Sequence, residues 1–230
     1  MAYLLALETS STLCSVALFK EAQLLGISEL QIEKSHSSHI TVLIDSLLHN
    51  CQVQLSDLSA IVLSGGPGSY TGLRIGSSTA KGLCFALEIP LIEVSTLKAL
   101  AAAAISLSPD PGAFLDCPMI DARRMEVYAT LLDQHLNEVL PVSPLVLTEE
   151  SFSKELSGHS LLFFGSGAAK SRDLLGNKPN AFFLETLPLS ARWLGELGLE
   201  KYRQGLFEEV AYYEPFYLKE VHITSSNKKI

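Results

Sequence analysis

Basic residues never run four together in this 230-residue sequence, and the formal net charge is −8. A chain that held RNA alone would carry a basic stripe to neutralise phosphates. Direct capture of RNA is therefore not expected, while a place beside a partner that holds RNA stays open. No apolar stretch approaches the roughly 20 residues that span a bilayer. The run Tyr3–Leu7 is short, has no basic lead and ends in Glu8, which does not fit a secretory signal. Cysteine is limited to Cys14, Cys51, Cys84 and Cys117. None falls in a CxxC pair, so no zinc knuckle is indicated, and four scattered thiols fit a reducing cytosol. A cytoplasmic chain without membrane contact is the expectation. Also missing are Gly-Lys-Ser/Thr after a glycine loop, GxGxxG, the GxSxG elbow and HExxH. These are the marks of a P-loop, a dinucleotide site, a serine hydrolase and a zinc protease.

What is present suffices for a core: 47% of the residues are apolar and 18% charged, which argues against wholesale disorder. Tyr3–Glu8, Leu13–Lys20 and Gln23–Gln31 read as a meander of strands. Ser35 reads as the N-cap of a helix over His36–Asn50, in which Ile40, Leu43, Ile44, Leu47 and Leu48 keep helical spacing. Ala60–Leu63 is a short strand, Tyr70–Leu87 a helix stopped near Pro90, Leu91–Val94 a strand and Thr96–Ile105 an alanine-rich helix. Ser108–Gly112 is a loop and marks the lobe boundary. Beyond it Cys117–Asp121, Met125–Asp133 and Leu136–Val142 read as strands and Thr148–Leu156 as a helix. Leu161–Phe164 is a strand ending in Gly165-Ser166-Gly167, a helix follows to Leu175, and Leu189–Gln204 is the last helix. Each half thus offers three strands, a helix, a strand, a glycine turn and a helix. The expected architecture is α/β, two duplicated lobes of the actin/Hsp70-like (ASKHA) kind, each a mixed sheet flanked by helices. The lobes are residues 1–107 and 108–220, the last helix packing back on the first lobe, with a flexible tail at 221–230.

Ser64–Gly76 holds Gly65, Gly66, Gly68, Gly72 and Gly76, five of the chain's 15 glycines. A strand, a glycine loop and a helix N-terminus together can hold a phosphate; a tight turn that feeds a helix is the plainer reading. Along that helix Gly72, Gly76, Ala80 and Cys84 recur every fourth residue. A small-residue stripe permits a close neighbour, either within the lobe or on a partner's helix. His36 and His39 share one helical face but lack a third ligand, so no metal is expected. Glu8 and Asp121 stand at corresponding strand ends, where actin-like ATPases use carboxylates beside bound nucleotide. Glu8 is followed by Thr9, Ser10 and Ser11 without a glycine, and Asp121 by Ala122, Arg123 and Arg124. An intact ATPase site is not expected. Arg123, Arg124 and Glu126 read either as a polar patch at the cleft or as solvated turn residues.

The chain resembles the TsaB (YeaZ) family. The resemblance rests on Leu7–Ser10 (LETS, where the family usually has LDTS), on His36, Leu43, Asp45 and Leu47, and above all on Gly66–Gly76 (GPGSYTGLRIG). Pro90–Leu100, Asp121–Tyr128 and Pro215–Lys219 add to it. It implies a non-catalytic subunit, with no catalytic residue, metal or cofactor of its own, working with a TsaD-like transferase and a TsaE-like ATPase, in which ATP and a metal act. The reaction implied is transfer of threonylcarbamoyl to the adenosine beside the anticodon of tRNAs reading ANN codons, with tRNA met only indirectly. TsaD-like chains carry HxxxH; here His36-Ser-Ser-His39 is one residue short, so the metal does not carry over. The implied partner interface, used by a second copy when the transferase is absent, comprises His36, His39, Leu43, Leu47, Tyr70, Thr71, Gly72, Arg74, Ile75, Gly76, Thr79, Ala80 and Leu83. A vestigial nucleotide cleft would comprise Glu8, Thr9, Ser10, Asp121, Arg123, Gly165 and Gly167. The alternative is a small ATPase or kinase-like enzyme of the same fold.

Overall fold

A computed structural model describes residues 1–32, 36–185 and 187–217. β1 (Tyr3–Glu8) is buried on both faces beyond its first residue, as its unbroken apolar run requires of a central strand. It pairs antiparallel with β2 (Cys14–Lys20), which pairs antiparallel with β3 (Gln23–Leu30). On its other side lie β4 (Ala60–Ser64) and then β5 (Leu91–Val94), both parallel. The second sheet repeats this order: β8 (Glu138–Val146), β7 (Glu126–Leu132), β6 (Leu115–Asp121), β9 (Leu161–Phe164) and β10 (Ala181–Phe183). In each half a helix precedes the fourth strand and another follows it. These are α1 (His36–Cys51) and α2 (Tyr70–Leu87), then α4 (Ser153–Leu156) and α5 (Ala168–Leu175). The chain is duplicated in topology, and no described helix is long and apolar enough to cross a membrane.

The strand period of two distributes β1 between two cores. Leu5 and Leu7 meet α1 and α2 through Ile40, Ile44 and Ala80. Leu4 and Ala6 face the middle of the molecule with Ala99, Leu100, Ala101 and Ala104 of α3 (Thr96–Leu107) and Phe164 of the second sheet. The closing helices are exchanged: α3 packs on β6 and β7, and α6 (Leu194–Gln204) on β1, β4 and β5. The approach is close, since a Cβ at Gly195 would lie 2.1 Å from the Phe19 ring. The alanine run of α3 has the matching purpose of letting a helix lie between two sheets.

Four expectations are revised. Thr148–Leu156 is not a helix throughout; Thr148 and Ser151 form a turn, Phe152 is left-handed at φ 56°, and only Ser153–Leu156 coils. The last helix does not begin at Leu189. Ser190 accepts a hydrogen bond from the Arg192 amide and caps a 3₁₀ turn at Ala191–Trp193, after which α6 starts. The third strand of the second half is Glu138–Val146 rather than Leu136–Val142. β10 was not foreseen at all. The Ser35 cap, the last two residues of Pro215–Lys219 and the tail at 221–230 lie outside the described residues.

Beyond α6 the chain returns across the first lobe as a strap. The Glu208 amide donates to the Leu91 carbonyl (2.9 Å) and the Phe216 amide to the Gly65 carbonyl (2.7 Å). The Lys81 ammonium, from α2, donates to the carbonyls of Ala211 (3.1 Å) and Tyr213 (3.0 Å).

Candidate functional site

The glycine block is a junction inside the first lobe. Ser69 caps α2, its hydroxyl accepting from the Gly72 amide at 3.3 Å, and the Ser69 amide donates to the Ser10 carbonyl at 2.7 Å. The Thr9 hydroxyl donates to the Gly72 carbonyl at 2.8 Å. A Cβ at Gly72 would lie 2.0 Å from the Thr9 carbonyl oxygen, and one at Gly76 2.3 Å from the Thr9 hydroxyl. The small-residue stripe is therefore occupied by the turn that ends β1. Gly72, Gly76 and Ala80 are buried within the protomer, and so are His36 and Leu47. In the lone chain these five are therefore not surface contacts: Gly72 and Gly76 pack on the β1 turn, Leu47 and Ala80 lie in the core beneath α1 and α2, and His36 is buried.

The outward edges of the same helices form a groove of about 470 Å³ between Ser37, Ile40 and Thr41 of α1 and Tyr70, Thr71, Arg74, Ile75, Ser78 and Thr79 of α2. Five residues expected at an interface, Tyr70, Thr71, Arg74, Ile75 and Thr79, converge here. The Arg74 guanidinium lies over the Tyr70 ring at 5.5 Å and donates to its hydroxyl at 3.3 Å. Tyr70 also packs on Tyr217 of the strap, centroids 5.1 Å apart. His39 and Leu43 of α1 and Leu83 of α2 are half-buried, and Phe85 is 84% exposed. The clamping Lys81 escaped the sequence reading, and Tyr217 entered it only within the matching block Pro215–Lys219, because their role depends on a return of the chain that no local pattern announces.

The strand ends offer different chemistry. Glu8 is fully buried; its Oε1 accepts from both the amide and the hydroxyl of Ser10, each at 2.6 Å. Burial pushes its pKa up to about 7, against the opposing pull of the Ser10 and Ser64 hydroxyls and the Ser10 amide. Asp121 is exposed. Partial burial is the largest single influence and raises its pKa, but the Lys170 ammonium at 2.7 Å and the Arg123 amide at 2.6 Å together outweigh it and hold the carboxyl below the usual range. Its amide donates to the Ser166 hydroxyl at 3.0 Å. Arg123 and Arg124 form the exposed β6–β7 turn, both left-handed at φ 72° and 50°. Gly165 and Gly167 pack on Met119 of β6. The acid at one strand end is thus buried with a raised pKa, and the one at the other is already ion-paired. Among the described residues no three acidic, histidine or cysteine side chains gather as a metal site.

A family model described as TsaD, tRNA N6-adenosine threonylcarbamoyltransferase, matches residues 18–141. The tRNA threonylcarbamoyladenosine biosynthesis protein TsaB of Bacillus subtilis (strain 168) is 34% identical over 182 residues, 76% of this chain and 77% of that protein. The chain belongs to the TsaB (YeaZ) family. Haemophilus influenzae TsaB is 40% identical over 125 residues, 54% of this chain and 51% of that protein, so the match spans about half the length of that relative. YeaZ of Pseudomonas aeruginosa superposes with a TM-score of 0.79 at 31% identity, covering 95% of this chain and 100% of that one. Component A of the (R)-2-hydroxyglutaryl-CoA dehydratase of Acidaminococcus fermentans, 10% identical, superposes with a TM-score of 0.52 over 90% of this chain and 100% of that one, a likeness of fold alone. With the duplicated sheets, this makes the architecture the two-lobe actin/Hsp70-like one that the sequence led us to expect.

Proposed function

We propose that the chain is a non-catalytic subunit in the formation of threonylcarbamoyladenosine on tRNA, binding a TsaD-like transferase through the outward edges of α1 and α2. The observation that carries this reading is the groove between those helices, in a chain of the TsaB family. Its rim joins an arginine and two tyrosines, residue types that anchor protein interfaces. The transfer goes to the adenosine beside the anticodon in tRNAs reading ANN codons. The chemistry belongs to the transferase, and a TsaE-like ATPase joins the pair; ATP and metal act in those partners, and tRNA is met through them. Alone, two copies use the same face, and the setting is the cytoplasm. The cleft residues favour this reading over a small ATPase: Glu8 is buried with its pKa raised to about 7, and Asp121 is committed to Lys170. In cells lacking their own TsaB, the chain should co-purify with the transferase and restore the modified adenosine. Restoration without any association with the transferase would refute the docking role.

A further inference from the structure

Two buried polar atoms meet where β1 and β4 end. Leu7 and Leu63 are register partners on these parallel strands, so Glu8 and Ser64 follow side by side. Glu8 Oε1 is saturated by Ser10. Among the described residues Glu8 Oε2 makes no hydrogen bond within normal geometry, and neither does the Ser64 hydroxyl. A buried carboxylate is costly as the anion when only the Ser10 amide and the Ser10 and Ser64 hydroxyls draw on it, and no ammonium or guanidinium stands among the groups that act on it. A proton on Oε2 removes the charge, and the Ser64 hydroxyl, which can only donate to the anion, can then accept from the acid.

We propose that Glu8 is a positioning residue that carries a proton: as the neutral acid it ties the end of β1 to the end of β4 and holds the first turn of α2, and loss of the proton loosens that turn. The link to α2 is direct. The turn after Glu8 supplies Thr9, whose hydroxyl donates to the Gly72 carbonyl, and Ser10, whose carbonyl accepts from the Ser69 amide. Tyr70, Thr71 and Arg74 on the groove rim follow that cap. The titratable groups facing Glu8 from the packed elements are few. From β2 comes the Cys14 thiol, itself pushed up to about 11 by burial and by Glu8. From β5 the Glu93 carboxyl packs over Gly65. From β3 the Glu29 carboxyl reaches the site only through the Ser15 hydroxyl. From α2 come Gly72 and Gly76, which do not titrate.

The sign follows. An acid whose folded pKa stands above its ordinary value of 4.5, here about 7, stabilises the fold fully below 4.5 and loses that contribution as pH rises through 7. Asp116, also pushed up to about 7 by burial, titrates in the same window, so stability alone does not isolate Glu8. The discriminating measurement is by NMR on the whole chain labelled at glutamate carboxyl carbons, from pH 4 to 9. The wild-type Glu8 carboxyl should titrate near pH 7, with the Ser10, Gly72 and Gly76 amides shifting at the same midpoint. In Glu8→Gln those amide shifts should vanish. A Glu8 midpoint near 4.5, or α2 amides that do not follow it in the wild type, would overturn the proposal without any variant having to fold. Neither outcome depends on which partner covers the groove.

Discussion

Gly72→Ala should lower the unfolding free energy by about 3 kcal/mol, the scale of forcing an atom into a packed site, and a larger residue at Gly72 should leave no cooperative transition. The obstacle is backbone, since the new Cβ would lie 2.0 Å from the Thr9 carbonyl oxygen. A carbonyl in a turn that already receives the glycine block cannot rotate away as a side chain can. The same helix contains its own control. A Cβ at Gly82 would meet nothing within 4 Å, so Gly82→Ala should gain about 0.5–1 kcal/mol through helix propensity and a restrained unfolded chain. Urea denaturation of the two variants compares one chemical change at two places on one helix. Equal effects would mean that Gly72 does not pack on the β1 turn.

Docking should fail when the groove is filled and its charge reversed. The double variant Thr71→Trp, Arg74→Glu should weaken binding to the TsaD-like transferase about 100-fold, or about 2.8 kcal/mol at 1.4 kcal/mol per decade. Both residues are exposed and line the groove, so the isolated chain should keep its melting temperature within a few degrees. Loss of the Arg74 contact to the Tyr70 ring changes a surface contact only. Isothermal titration of the full-length chains reads this directly. Affinity within threefold of wild type would remove the groove from the interface.

Much of the fold was legible because local chemistry and tertiary demand agree. The bounds of α2 followed from the glycine block before it and Pro90 after it, and its cap at Ser69 and left-handed end at Glu88 obey ordinary helix termination. The strands Tyr3–Glu8, Leu91–Val94 and Leu161–Phe164 were legible as short apolar runs. β10 was not, because three residues, Ala181–Phe183, carry no period, and only pairing with β9 makes them a strand. The helix expected at Thr148–Leu156 failed because Thr148 and Ser151 satisfy a turn instead, the competition that serine and threonine side chains bring to helix starts.

The site was legible in part. A stripe of small residues says that something comes close, not what. Here it is Thr9, more than sixty positions away in sequence, and the exposed groove proposed for docking lies beside the stripe rather than on it. The raised pKa of Glu8 was illegible for another reason: the residue type names the acid, while burial decides how tightly it holds a proton.

The account holds that this chain works through its helical face and supplies no chemistry from its own cleft. The direct test is the rate of threonylcarbamoyl transfer to tRNA in a reconstituted mixture of transferase, ATPase and this chain at saturating concentration, with Asp121→Asn in place of wild type. Asp121 is exposed and its Lys170 ion pair is worth little to stability, so the variant should fold and bind normally. The account predicts a rate within twofold of wild type; a rate about 100-fold lower with transferase binding intact would contradict it.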